Sequence, residues 1–529
     1  MSDQEWWRGA VIYQIYPRSF QDDNADGFGD LAGITRRLPH VADLGVEAIW
    51  LSPVFPSPMA DMGYDVSDHR DIDPSFGTLA EFDGLVARAH GLGLRVLIDQ
   101  VLSHSSDRHP FFTESRASRD NPRADWYLWA DPKPDGMPPN NWQAVFGGPA
   151  WEWDVRRKQY YFHTFLKEQP DFDFNNGEVQ AWALDTLRFW LDRGVDGFRL
   201  DAVNHYLQDP HLRDNPVDWR EKTEPDYKTY EMQFPQFSKN RPENLPFMED
   251  MRALLDSYDA RVFVGEVGES HYPAERLADY TAPGRLHMAY TPELMGEKFS
   301  AAHVRRQIEW LRQEAPDSWP CWAFSNHDVP RHMTRWARFG QSEDALARLC
   351  AALLLSLEGS VCLYQGEELG LPQADLDYHE LVDPEGRVFW PDNKGRDGSR
   401  TPMPWEGDAP HGGFSQAEET WLPVKPPHLA RALDRHDPED GIPAFYARMI
   451  ALRRAHPALR TGQSTFAQTE EPVLAFWRGG THFCAFNLGP DAADADLPDG
   501  LTPLLTTDGV AAGASLHLPG NGVFIAQRG

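Results

Sequence analysis

Apolar and polar positions change period repeatedly along the chain. Residues 11–16 form a short apolar run; 30–44 then place Leu31, Ile34, Leu38, Val41 and Leu44 three or four apart, the spacing of one helix face. The alternation recurs. Strand-like runs lie at 46–51, 94–102, 195–203, 261–265, 286–289, 319–325 and 360–364, with helical spacing at 79–91, 179–191, 345–357 and 444–455. The run at 94–102 is apolar almost throughout, as a strand buried on both faces of a parallel sheet must be. Eight such strands, each followed by helix-competent sequence, predict an α/β fold closed as a (β/α)8 TIM barrel rather than an open sheet.

Two segments break the alternation. Residues 104–174, after the third strand, are rich in Pro, Trp and Asp and too long for a βα loop, which predicts an inserted subdomain. Residues of about 372–440, after the eighth strand, form a polar Pro- and Gly-rich excursion. Past 460 the pattern becomes short β runs between Gly, Pro and Asp turns. The expected organisation is a barrel over 1–103 and 175–459, the subdomain 104–174 between its parts, and a C-terminal β-sandwich domain over 460–529.

Composition narrows the function classes. The 529 residues carry 81 Asp plus Glu against 50 Lys plus Arg, a formal charge of −31 that repels phosphate backbones and anionic membranes. No nucleic acid and no membrane partner is expected. Cys321, Cys350, Cys362 and Cys484 lie in apolar runs without metal-finger or CxxC spacing, so they read as buried thiols. No apolar run approaches 18 residues and the first residues lack a signal-peptide pattern, so a cytoplasmic protein, monomer or homodimer, is expected.

In a TIM barrel the chemistry sits where the strands end. Asp99 and His104 follow the third strand, Arg199 and Asp201 the fourth, Glu266 the fifth, and His327 and Asp328 the seventh. One aspartate at a strand end is commonly a helix cap. Carboxylates, histidines and an arginine at four strand ends are hard to explain as capping. A pair of carboxylates flanking a glycosidic bond is the usual apparatus for its hydrolysis, one ionised and one protonated. Arg199, two residues from Asp201, shares its face of the strand and is expected to keep that carboxylate charged, leaving Glu266 to carry the proton.

Four segments, Asp99-Gln-Val-Leu-Ser-His104, Gly197-Phe-Arg-Leu-Asp201, Val264-Gly-Glu266 and Asn326-His-Asp328, resemble the signature regions of the α-amylase family, glycoside hydrolase family 13, in order and spacing. The resemblance implies Asp201 as nucleophile, Glu266 as general acid/base and Asp328 as transition-state stabiliser, with His104, Arg199 and His327 lining the reacting-sugar subsite. Residues 6–20, Asp61-Met-Gly-Tyr-Asp65, Gln169-Pro-Asp171 and Ser399-Arg-Thr-Pro-Met-Pro-Trp405 are similar to the α-glucosidase and oligo-1,6-glucosidase branch. There the positions matching Asp65 and Arg400 grip the terminal glucose. Ser103 replaces an asparagine common in the first motif, which puts in doubt the calcium that α-amylases hold between barrel and subdomain.

The resemblance implies a retaining exo-acting α-glucosidase on short α-glucosides such as maltose, with transglucosylation open to it. Sucrose hydrolase, trehalose synthase and oligo-1,6-glucosidase remain alternatives on the same scaffold. A non-enzymatic subunit fits poorly, because the three carboxylates are kept and no membrane anchor is present. Ala202, after the nucleophile position, goes with α-1,4 preference in that branch, and the long connection 206–248 is expected to cover the leaving-group side. After the first strand, Asp22, Asn24, Asp26, the Phe28 carbonyl and Asp30 match alternate positions of an EF-hand loop, although Gly33 occupies its twelfth. The same loop in the resembling α-glucosidases holds a cation, so a structural Ca2+ or Mg2+ is expected here.

Overall fold

The computed structural model describes residues 3–220, 228–268, 271–290 and 292–529. Eight parallel strands close a barrel: β1 (Val11–Ile15), β2 (Ala48–Leu51), β3 (Arg95–Gln100), β4 (Gly197–Leu200), β5 (Val262–Glu266), β6 (Met288–Tyr290), β7 (Pro320–Trp322) and β8 (Ser360–Tyr364). Each pairs with its neighbour in sequence, and β8 returns to β1 with Val11 opposite Val361. The strands are buried nearly throughout, because helices cover the barrel outside and side chains fill it inside.

The helices begin where short polar side chains can satisfy their first amides. Asp30, Thr78, Asn176, Ser300 and Ser342 cap Leu31–Asp43, Leu79–Gly91, Gly177–Asp192, Ala301–Glu314 and Glu343–Ser356 by accepting from a backbone N–H of the first turn. Several strands are shorter than their apolar runs. β4 stops at Leu200, and Ala202 turns the chain at φ 42° into a single 3-10 turn. β7 stops at Trp322, although Ala323, Phe324 and Ser325 stay buried. Apolar runs report burial, and at the barrel mouth buried chain continues after the ladder ends. The sixth strand lies later than its run predicts, at Met288–Tyr290, which carries Tyr290 to the mouth.

Between β3 and β4 lies a three-stranded antiparallel sheet of Trp129–Ala130, Gln159–Phe162 and Trp151–Asp154. Beyond the helix Ile442–Ala455 come a five-stranded and a three-stranded sheet. All four cysteines are buried free thiols. Among the described residues no helix is long and apolar enough to cross a membrane.

The loop after β1 corrects the expected cation. Asp22 accepts from the amides of Ala25 at 2.7 Å and Gly27 at 2.9 Å and from the Ser415 hydroxyl. Asn24 and Asp26 each accept from the amide two residues on, at 2.9 Å, the second of these being Phe28 N. Asp30 accepts from Gly33 N at 2.6 Å and from Asp23 N and Asn24 N. The oxygens that were to hold Ca2+ or Mg2+ are turned onto the loop's own backbone and onto a helix cap. No group of three or more His, Cys, Asp or Glu placed to hold a metal occurs among the described residues.

Arg453 fastens the barrel closure from below. Its buried guanidinium donates to Gly9 O at 3.1 Å, Leu355 O at 2.8 Å, Leu357 O and Leu459 O at 2.9 Å, and Gly359 O. These carbonyls belong to the approach to β1, the end of the helix before β8, and the last helical turn. A buried carbonyl left without a donor costs about 1–3 kcal/mol. Arg453→Met is therefore expected to shorten the half-life of activity at elevated temperature about tenfold or more, with turnover at 25 °C unchanged, as measured by residual activity after timed heating. A wild-type half-life would show that the carbonyls find other donors.

Candidate active site

Strand register brings the chemistry to one level. Asp99 of β3 lies opposite Arg199 of β4, and Glu266 of β5 opposite Tyr290 of β6. Arg199 is wholly buried between them. Its Nη1 donates to Asp99 at 2.8 and 3.1 Å and to Asp201 Oδ1 at 2.7 Å. Its Nη2 lies 2.7 Å from Glu266 Oε2 and donates to the Tyr290 hydroxyl at 2.7 Å. Glu266 also accepts from the Tyr290 hydroxyl at 3.1 Å and from Ala202 N at 3.0 Å. One guanidinium thus bridges Asp201 and Glu266 through its two terminal nitrogens.

Sharing one cation changes the expected electrostatics. Burial pushes Asp201 well above the ordinary carboxylate range; Arg199 opposes this, and Glu266, Asp99 and Asp328 add to it. Burial likewise lifts Asp99 to about 6, against the pull of Arg199. The expectation that Arg199 would hold Asp201 low does not survive: three carboxylates divide one positive charge, and burial raises Asp201.

Asp328 stands apart because it has cations of its own. Arg400 Nη2 donates to its Oδ1 at 2.9 Å and Arg396 Nη1 lies 3.4 Å away. Burial opposes its charge, but Arg400 and Arg396 hold it below the usual range. His327 is neutral, since burial pulls it down to about 3. Gln14 Nε2 donates to its Nδ1 at 2.7 Å, leaving Nε2–H for the Tyr64 hydroxyl at 2.5 Å and Asp328 Oδ2 at 3.2 Å. Tyr64 passes its own hydrogen to Asp99 at 3.1 Å. His104, lowered to about 4 by burial, donates from Nε2 to Tyr64 O at 2.9 Å and takes Ser103 Oγ at Nδ1, 2.8 Å away. The serine in place of asparagine here orients the imidazole.

A cavity of about 280 Å3 opens above these groups. His104, Asp201, Glu266 and Asp328 line it, whereas Arg199 and His327 sit beneath as supports. The structure does not bring Asp65 and Arg400 together as a pair facing the cavity. Asp65 is fully buried and spends its carboxylate on Ser57 Oγ, Ala60 N and Asp61 N at 2.8–3.0 Å. Arg400 grips Asp328 and donates to His327 O at 2.7 Å. The acid–guanidinium pair that lines the cavity is Asp61 with Arg396, 2.6 Å apart. Gln169 donates to Asp61 at 3.1 Å, and Asp383 clamps Arg396 from behind at 2.6 Å. Asp61 and Arg396 each stand four residues before the position expected from sequence, and in irregular loops no periodicity tells the two apart. Phe146, Phe165 and Tyr230 supply apolar wall.

A second cavity of about 340 Å3 adjoins the first. Val145, Phe165, Tyr230, Glu231 and Glu266 line both, while Ala202, Asn204, His205, Lys239 and His271 line only the second. Of Asp201, Glu266 and Asp328, only Glu266 reaches both.

The model of the α-amylase catalytic domain matches residues 14–462. A probable α-glucosidase of Rhizobium meliloti (strain 1021) is 52% identical, over 99% of this chain and 97% of its own. An oligo-1,6-glucosidase of Heyndrickxia coagulans is 35% identical over 94% of each chain. Among solved structures, an α-glucosyl transfer enzyme superposes with a TM-score of 0.94 at 51% identity, covering 98% of this chain and 99% of its own. The trehalulose synthase of Pseudomonas mesoacidophila MX-45 does so with 0.89 at 31%, covering 99% of each. A barrel with carboxylates gathered at its strand ends, matched over most of its length, belongs to the α-amylase family, glycoside hydrolase family 13.

Proposed function

We propose that the enzyme is a retaining, exo-acting α-glucosidase that removes terminal glucose from short α-1,4-glucosides such as maltose. The observation that carries this reading is the position of Glu266, the one of the three carboxylates that lines both cavities. An acid that protonates a leaving oxygen must stand between the sugar that stays and the group that departs. The first cavity then holds the terminal glucose and the second the leaving group. Asp61 and Arg396 offer an acceptor and a donor to neighbouring hydroxyls of that glucose.

Asp201 attacks the anomeric carbon while Glu266 gives its proton to the leaving oxygen, forming a glucosyl ester on Asp201. Glu266, now a base, takes a proton from water, or from the hydroxyl of another sugar, as it displaces the ester. Two inversions retain the α configuration. Bridging by one guanidinium keeps the two carboxylates close, as a direct attack requires; retaining sites typically set them about 5–5.5 Å apart. Asp328, held ionised by Arg400 and Arg396, stabilises the positive charge that develops on the ring. The similarity to an α-glucosyl transfer enzyme supports transfer to sugar hydroxyls beside hydrolysis.

The residue roles carry a direct test. Asp201→Asn, Glu266→Gln and Asp328→Asn are each expected to lower kcat on maltose by about 10²–10⁴-fold with the circular-dichroism spectrum unchanged. Glu266→Gln is expected to lose far less on a dinitrophenyl α-glucoside, whose leaving group needs no proton. Proton NMR of early product is expected to show α-glucose; β-glucose would exclude the double displacement.

The pH profile follows from the shared cation. Asp201 must be ionised to attack, and burial with its neighbours raises it. As pH falls through that raised value the nucleophile gains a proton and activity is lost. The acid limb of kcat/KM is therefore expected above the ~3.9 of an exposed aspartate. A limb at or below 4 would contradict the sharing of Arg199.

Linkage preference rests on Ala202, which lines the leaving-group cavity while its amide holds Glu266. Its φ of 42° disfavours a β-branched residue, so a valine there must shift that amide. Maltose is expected to be cleaved faster than isomaltose, in a panel with sucrose, trehalose and maltotriose. Faster isomaltose cleavage would favour the oligo-1,6-glucosidase reading.

A further inference from the structure

Two loops meet across the mouth of the glucose cavity. The connection after β4 contributes Lys228, and the excursion after β8 contributes Glu385; their Nζ and Oε1 lie 3.2 Å apart, and both residues line the cavity. The side chains are 26% and 15% exposed, so solvent and salt screen the pair less than an ordinary surface bridge.

Each partner is tied to something that matters. Asn393 Nδ2 donates to Glu385 Oε1 at 3.0 Å, and two residues before Glu385 stands Asp383, the clamp on Arg396. On the other side, Tyr230 and Glu231, two and three residues beyond Lys228, form the wall that lines both cavities. The ion pair therefore joins the wall of the leaving-group cavity to the segment that holds the sugar-gripping arginine.

Resting on the α-glucosidase reading, we propose that the Lys228–Glu385 ion pair is a clasp that sets chain-length specificity. Closed, it holds the 228–231 wall against the loop after β8 and confines the leaving side of the substrate to the second cavity. A disaccharide fits without disturbing it. A longer maltodextrin must lead its remaining sugars out of the second cavity past Tyr230 and Glu231, which displaces that wall and with it strains the pair. The clasp thus costs long substrates and leaves short ones untouched, a discrimination made by penalising the wrong substrate. The competing arrangement is that Lys228 and Glu385 each contact a sugar hydroxyl independently.

The test compares Lys228→Met, Glu385→Gln and the exchanged double variant Lys228→Glu with Glu385→Lys. For each, kcat/KM is measured on maltose, maltotriose and maltohexaose at low salt and at about 1 M salt, where the screening length falls to about 3 Å. Each single variant is expected to raise the maltohexaose-to-maltose ratio about three- to tenfold. The exchanged pair is expected to bring it back toward the wild-type value, and high salt to raise it in the wild type but not in the single variants. Unchanged ratios in the single variants would overturn the clasp. So would an exchanged variant no better than either single, because independent contacts do not survive exchange. Failure of the wild-type enzyme to release glucose from a nitrophenyl α-glucoside would instead overturn the α-glucosidase reading, and the clasp with it.

Discussion

The guanidinium of Arg199 is the constraint around which the barrel mouth is arranged. It is buried, it touches Asp99, Asp201, Glu266 and Tyr290, and it stacks beneath Trp50 and Tyr290 at 5.1 and 5.6 Å. Three carboxylates this close would repel one another without it. Removing one partner of a buried ion pair generally costs several kcal/mol, because the charge left behind has no water. Register is thereby constrained: a slip of one residue in β3 or β4 would point Asp99 or Arg199 out of the barrel and strand the rest. The same sharing leaves the free site short of positive charge.

Arg396 plays a parallel part at the wall of the first cavity. It joins Asp61, from the loop after β2, to Asp383 and Asp328, and so ties three loops together. Arg199 acts through strands and Arg396 through loops. The first is fixed by the barrel itself; the second holds only as well as its loops are anchored, through Asp383, which accepts from its Nε, and through Gln169, which donates to its partner Asp61. Asp328 stands between the two hubs and takes its charge from Arg396 and Arg400.

Much of this was legible in the chain, for a physical reason. A strand buried on both faces must be apolar, so β3 and β8 announce themselves, and a polar residue directly after such a run must lie at an end of the barrel. Asp99, Arg199, Glu266 and Asp328 could be placed in that way. The ends of β4 and β7 could not, because apolar chain stays buried after the ladder stops. That Asp61 and Arg396 line the first cavity could not be read, because Asp65 and Arg400 offer the same two residue types four positions later. The acidic loop after β1 shows the same limit. Spacing shows which oxygens lie near each other, but not that Asp22, Asn24, Asp26 and Asp30 turn theirs onto backbone amides.

The two adjoining cavities bear on the balance between hydrolysis and transfer. In the mechanism proposed above, a water and a sugar hydroxyl would present Glu266 with the same task, a proton to remove from oxygen. The carboxylate triad has no means of telling them apart. Selection falls to whatever occupies the second cavity when the glucosyl ester forms. Its lining pairs apolar surface from Phe165, Val145 and Pro235 with polar groups from Asn204, His205 and Gln233, a combination that suits the two faces of a pyranose better than it suits bulk water. The longer the departing sugar, or a replacement, stays in that cavity, the more often the ester meets a hydroxyl of carbon rather than of water. The product ratio is then a property of the wall that bounds the second cavity and of the loops that position it.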